Sequence, residues 1–158
     1  MGEEKPGRRD ETEDERADRN YADLLQELRV AQTGVQFLFA FLLTLAFTQR
    51  FLQITTFQKG VYVATLIANA VASALLIGPV PFHRIMFRRG LKPRLVHGSD
   101  YMARGGLAML LLAINGAVFL ILDVVLKGAL PVVLSAIVLV WFVTVWYVVP
   151  LTVREKNR

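Results

Sequence analysis

The stretch VAQTGVQFLFAFLLTLAFT, Val30 to Thr48, determines the class of fold. It is strongly apolar, and a bilayer core about 30 Å thick needs roughly 20 apolar residues to be crossed by a helix. The stretch also contains Gln32, Thr33 and Gln36, whose polar groups lipid cannot hydrogen-bond. It therefore predicts a membrane-spanning helix with one polar side that has to avoid lipid.

Three further blocks of the sequence have the same character, because charged residues are nearly absent from them and dense between them. None of the blocks shows the two-residue alternation of a membrane β-strand. The sequence therefore predicts an all-α membrane protein, a four-transmembrane-helix bundle. The predicted spans are residues 30–48, 60–78, 105–126 and 129–149, with a basic loop at 79–104 between the second and the third.

The two ends of the chain are polar and differ in charge. The first 29 residues hold ten of the 13 acidic groups, and residues 1–20 have the composition of a disordered acidic tail without the apolar core of a signal peptide. Residues 152–158 form a short basic tail, which leaves 21–151 as the membrane domain. Lys and Arg are concentrated in the 79–104 loop and in this tail, so the positive-inside rule predicts that both termini are cytoplasmic.

One face of the first predicted span is polar or small when the residues are projected at about 100° each. This face carries Arg29, Gln32, Thr33, Gln36 and Thr44. The residues could hydrogen-bond a neighbouring helix, where such bonds average about 0.6 kcal/mol and set the register of packing. They could instead line a water-filled path for an ion or other substrate, or meet a partner protein or a lipid headgroup.

Three more polar residues lie within the predicted spans. Asn69 and Asn115 stand at the middle of spans two and three, where they could hydrogen-bond each other or bind an ion or substrate. Asp123 lies about one turn from the end of span three, and Lys127 follows at the spacing of a surface ion pair. An acid in a span is also a candidate for proton or cation handling.

The loop between spans two and three contains a segment, residues 79–94, that fits a short basic amphipathic helix lying at the headgroups. Its basic residues are Arg84, Arg88, Arg89, Lys92 and Arg94. They could serve only as the topology signal, or they could bind anionic lipid, since each is worth about 1 kcal/mol at an anionic surface. Nucleic-acid binding is not expected, because no folded basic domain presents these charges.

The sequence offers no pattern typical of an enzyme. The chain has no cysteine and two histidines, and neither histidine has an acid at a spacing suited to a metal site. There is no glycine-rich phosphate loop, no pair of catalytic carboxylates and no nucleophile with a nearby base. We therefore expect no catalytic site, no cofactor and no bound metal.

Two segments resemble a family of small actinobacterial integral membrane proteins that is catalogued only as a domain of unknown function. They are NYADLLQELRVAQTGVQFLFAFLLTLAFTQRF, Asn20 to Phe51, and QKGVYVATLIANAVASALLIGPVPFHRIMFRRG, Gln58 to Gly90. The resemblance covers roughly residues 20 to 126. It implies a four-span protein of the bacterial plasma membrane.

Two functions are compatible with these patterns. The first is a membrane accessory or scaffold component that forms homo-oligomers through the polar face of span one, binds anionic lipid with its basic loop and contacts another membrane protein. The alternative is a homo-oligomeric ion channel or a small cation or proton transporter, with Gln32 and Gln36 lining the path. Four short spans enclose no wide path alone, so the alternative also requires several copies.

Overall fold

The computed structural model describes residues 13–81 and 92–156. Within these residues the chain is helical apart from short connections, and no strand is formed. Four helical segments are long and apolar enough to cross a membrane: Tyr21–Leu45, Thr56–Pro81, Gly98–Val125 and Leu130–Thr152. The predicted class, an all-α bundle of four membrane-spanning helices, is confirmed.

The described residues form five α-helices and two short helical segments of other types. The α-helices are α1 (Glu13–Leu45), α2 (Thr56–Ile77), α3 (Lys92–Val125), α4 (Leu130–Val143) and α5 (Val149–Lys156). A 3₁₀ helix, Gln49–Gln53, connects α1 to α2, and a π-helical turn, Thr144–Val148, joins α4 to α5. The fourth span therefore consists of α4, the π turn and the start of α5.

Two helices extend well beyond the predicted spans. α1 begins at Glu13, inside the segment that the sequence predicts to be disordered, and α3 begins at Lys92, inside the predicted 79–104 loop. The 34 residues of α3 measure about 50 Å at 1.5 Å per residue, longer than a bilayer core of about 30 Å. Hydropathy detects only the part of a helix that lies in lipid, so it places these two starts too late.

The core lies between α1, α2 and α3. On α1 every seventh residue is buried, at Tyr21, Leu28, Val35 and Leu42. A seven-residue repeat keeps one narrow seam of a helix against its neighbours with a slight left-handed crossing. Leu28, Val35 and Leu42 pack with buried residues of α2 and α3, among them Leu76 and Leu110.

Glycines allow α2 and α3 to approach each other closely. A Cβ added to Gly116 would collide with the Thr65 side chain, and one added to Gly106 would lie 2.7 Å from Leu76 Cγ. Small residues at such positions are typical of membrane helix pairs, where close backbone approach replaces the hydrophobic effect as the source of attraction. The contact also fixes the antiparallel register of the two helices, with residue 65 level with residue 116.

α4 lies at the side of the bundle, where it packs mainly against α3. Only 6% of the most apolar window of its span is buried, whereas the figures for the other three spans are 17% to 28%. The buried edge of α4 includes Pro131 and Ser135, while Ile137, Val140 and Trp141 are exposed. Most of this helix is therefore available to lipid.

Candidate functional site

Side chains of α1 and α2 hydrogen-bond backbone carbonyls of the opposite helix or its end along the whole seam between them. Tyr21 Oη donates to Pro79 O (2.6 Å), Gln32 Nε2 to Leu76 O (2.8 Å), Asn69 Nδ2 to Val35 O (3.2 Å) and Tyr62 Oη to Leu42 O (2.9 Å). Leu76 is among the last four residues of α2, whose carbonyls have no partner within their own helix. Gln32 therefore caps the end of α2 from a neighbouring helix.

The predicted polar face of span one divides into an inner and an outer part. Gln32 is partly buried in the seam, whereas Arg29, Thr33, Gln36 and Thr44 are exposed on the outside of the bundle. The hydroxyls of Thr33 and Thr44 donate to the carbonyls four residues before them, at 3.0 Å and 2.8 Å. Such bonds satisfy a threonine within its own helix, so neither residue needs a partner.

Gln36 is the remaining member of the face that lies well inside the span. It is exposed and makes no hydrogen bond to any residue that the structure describes. Its carboxamide has two N–H donors and a carbonyl acceptor, and lipid can satisfy none of them. This amide is therefore an unmet hydrogen-bonding group at the outer surface of α1.

The two mid-membrane asparagines do not hydrogen-bond each other, so the first of the two alternatives that the sequence left open is wrong. Asn69 is fully buried and donates to α1, while its Oδ1 atom and that of Asn115 are buried without a partner. The register in which Thr65 meets Gly116 sets the two asparagines about one turn apart along the helices.

Asn115 lies on the same helix as two residues that line a space beside the fourth span. It follows Arg104 and Leu107 at helical spacing on α3, and those two residues line a space beside the π turn. Asn69 is directed toward α1, whereas the buried Asn115 Oδ1 has no hydrogen-bond partner among the described residues.

Asp123 is held by α2. Gln58 Nε2 donates to Asp123 Oδ2 at 2.9 Å and approaches Asp123 O at 3.4 Å. Gln58 is itself fixed by a capping box with Thr55, the residue before α2, through bonds of 2.9 Å and 3.2 Å. No ion pair between Asp123 and Lys127 is present, so the expected pairing was wrong and the carboxylate instead ties the end of α3 to the start of α2.

The basic residues that the sequence predicts to contact lipid lie partly outside the described residues. Arg84, Arg88 and Arg89 lie outside the described residues, and so does most of the predicted amphipathic helix. Lys92 and Arg94 fall in the first turn of α3. Within the described ranges no group of three His, Asp or Glu side chains is placed to hold a metal ion.

Three residues of the seams were missed by the sequence reasoning. Tyr21 and Tyr62 are buried and hydrogen-bonded to backbone carbonyls, and Gln58 joins two helices. The seven-residue spacing of Tyr21, Leu28 and Val35 was a usable signal for the first of them. The role of Gln58 depends on the antiparallel placement of α2 and α3, which no local pattern encodes.

Comparison with known proteins gives one match. No curated protein and no solved structure matches this chain. The model of one family, described as "Family of unknown function (DUF6328)", matches residues 10–150 of the 158-residue chain. The match includes the first three spans and all but the last two residues of the fourth. The chain therefore belongs to this family of unknown function, and the bundle described above is that of one of its members.

Proposed function

We propose that the protein is a non-enzymatic component of the bacterial plasma membrane that assembles with copies of itself through the outer face of α1. Gln36 lies at the centre of this face, and its exposed amide is the observation that carries the proposal. An unsatisfied polar group in lipid costs several kcal/mol. That cost favours any arrangement in which the amide meets a polar partner.

A second copy of the chain is the partner that fits this amide. Copies inserted with the same orientation carry Gln36 at the same depth, and a carboxamide can donate to and accept from an identical group. Ala40 and Thr44 continue the face at four-residue spacing, and their small side chains allow a second helix to come close. A two-fold symmetric contact through this face therefore satisfies both amides at once.

A second candidate function follows from the same amide. If several copies surround one axis with this face inward, a ring of Gln36 side chains lines a path, and the protein is an oligomeric channel or cation or proton transporter. Gln32 does not contribute to that path, because its amide is engaged with Leu76. The number of copies separates the two functions, since a dimer encloses no central path.

The orientation and the lipid contacts form part of the proposal. The basic residues between the second and third spans, together with those after the fourth, favour cytoplasmic termini, because only Arg50, Lys59 and Lys127 stand in the loops of the opposite side. The segment containing Arg88 and Arg89 then lies against the anionic headgroups of the cytoplasmic leaflet.

Cysteine cross-linking in membranes tests the assembly, since the natural chain has no cysteine to interfere. Gln36→Cys is expected to give covalent dimers with a membrane-permeant oxidant. The matched control is Ile137→Cys on α4, a comparably lipid-accessible position outside the proposed interface. Equal cross-linking of the two variants would refute the proposed interface.

Subunit counting by single-molecule photobleaching in liposomes then decides between a dimer and a ring. A ring should also conduct ions in a liposome flux assay, and Gln36→Leu should reduce the flux. Flux that is unaffected by Gln36→Leu would exclude the face as the conduction path.

A further inference from the structure

A cleft of about 690 Å³ lies between α3 and the π turn that follows α4. Leu107 and Val145 give it an apolar wall, and Arg104, Trp146 and Tyr147 bring polar groups to it. The guanidinium, the indole N–H and the tyrosine hydroxyl are all hydrogen-bond donors. The cleft therefore combines an apolar wall with donors suited to an anionic oxygen.

The π turn explains why two aromatic residues share this cleft. Pro150 has no N–H and its ring would clash with the carbonyl of Trp146 in a continuous α-helix. The chain instead forms a bond from Val149 N–H to Thr144 O, five residues back, which adds one residue to the turn. Consecutive side chains, Val145 to Tyr147, then line the same space. Phe142 supports the Trp146 ring in an edge-to-face contact at 5.3 Å.

Arg104 is held in a fixed orientation by Asp100 on the preceding turn. Asp100 accepts from Nε at 3.1 Å and from Nη2 at 2.8 Å, so the pair is bidentate. This geometry leaves the two N–H groups of Nη1 for another acceptor. The Arg104 side chain is 72% exposed, so a ligand can reach it without displacing α3.

The depth of the cleft matches the boundary between headgroups and acyl chains. Arg104 lies six residues inside the start of its span at Gly98, and Trp146 lies six residues inside the end of its span at Thr152. At 1.5 Å per residue each is about 9 Å from the end of its span. Trp and Tyr are enriched at this level of membrane proteins, and a phospholipid changes there from a charged phosphate to an apolar chain.

We propose that the cleft binds one anionic phospholipid, with its phosphate at Arg104 and an acyl chain along Leu107 and Val145. The site is separate from the segment around Arg88, and it does not depend on assembly through Gln36. Asp100 shares the guanidinium, so the preference for an anionic over a zwitterionic lipid should be modest. We expect about threefold, less than the roughly fivefold effect of one unpaired cation at an anionic surface.

Quenching of tryptophan fluorescence by brominated lipid tests the site directly, because the chain contains only Trp141 and Trp146. The Trp141→Phe variant, with Trp146 as the single reporter, is reconstituted into phosphatidylcholine vesicles. Brominated phosphatidylglycerol and brominated phosphatidylcholine with the same acyl chains are compared at equal low mole fraction. Trp146 is expected to show about a threefold preference for the anionic quencher. Arg104→Gln in the same background is expected to abolish it.

Three controls make the result decisive. Trp146→Phe leaves Trp141, which is 68% exposed away from the cleft, as a reporter that should show no preference. Arg50→Gln, at the opposite end of the bundle, should leave the preference of Trp146 unchanged. Gln36→Leu should also leave it unchanged, so that failure of the assembly proposal is recognised separately.

Equal quenching of Trp146 by the two lipids would refute the site. Two further results would do the same: a preference that survives Arg104→Gln, or an equal preference at Trp141. A preference lost in an Arg88→Gln/Arg89→Gln variant but kept in Arg104→Gln would assign the effect to the basic segment and overturn the cleft.

Discussion

Gln32 and Gln36 stand four residues apart on α1 and are expected to respond to the same substitution in different ways. Gln32→Leu removes the amide that caps Leu76 O at 2.8 Å, which leaves a carbonyl at the end of α2 without a partner. Gln36→Leu removes an amide that bonds no described residue and exposes an apolar side chain where lipid can solvate it. The two substitutions therefore make the same chemical change on the same helix, and they differ only in the surroundings of the side chain.

The expected magnitudes follow from these environments. Hydrogen bonds between membrane helices average about 0.6 kcal/mol with a maximum near 1.7, and an unsatisfied buried acceptor costs about 1 to 3 kcal/mol. We expect Gln32→Leu to lower the free energy of unfolding by about 1 kcal/mol, a roughly fivefold change in the folding equilibrium. Gln36→Leu should change the free energy of unfolding of the single chain by less than about 0.5 kcal/mol, because the Gln36 side chain meets lipid or detergent in the folded and in the unfolded chain alike.

The two substitutions should affect assembly in the reverse order, with the larger effect from Gln36→Leu. Loss of two reciprocal amide bonds at about 0.6 to 1 kcal/mol each should raise the dimer dissociation constant in lipid about tenfold for Gln36→Leu. Gln32→Leu should leave that constant unchanged, because its amide faces α2.

Unfolding in mixed micelles, followed by circular dichroism at a dilution where the chain is monomeric, measures the first quantity. Energy transfer between labelled copies in vesicles measures the second. The reasoning is refuted if Gln36→Leu destabilises the monomer more than Gln32→Leu, or if both variants weaken assembly equally.

Two further substitutions test the contacts of α3. Gln58→Leu should lower the free energy of unfolding by about 1 kcal/mol, because Asp123 loses its partner on α2. Lys127→Gln should have almost no effect in the same unfolding assay. A larger effect of Lys127→Gln than of Gln58→Leu would show that Asp123 pairs with Lys127 instead. Gly116→Val should cost about 1 to 3 kcal/mol, because a Cβ at this position meets Thr65 on α2, and retention of full stability would show that the two helices are not in this register.

The sequence alone determined the number of spans and the class of the fold. An uncharged block of about 20 residues that crosses a bilayer has to be helical, because lipid offers no hydrogen bonds and each backbone group has to find its partner within the helix. The sequence also identified the first span as polar on one side, because helical projection depends only on local spacing. The sequence did not predict where α1 and α3 begin, because hydropathy does not detect the part of a helix that lies outside lipid.

Only the tertiary structure decided which polar groups are already satisfied. Gln32 and Gln36 differ by about 40° around the helix axis, and the position of α2 alone makes one a cap and leaves the other exposed. The partners of Asn69 and Asp123 likewise lie 34 and 65 residues away in the chain. The packing of α1 against α2 sets the first contact, and the α2–α3 register in which Thr65 meets Gly116 sets the second. Local spacing fixes the face on which a side chain lies, whereas its hydrogen-bond partner depends on how the helices pack.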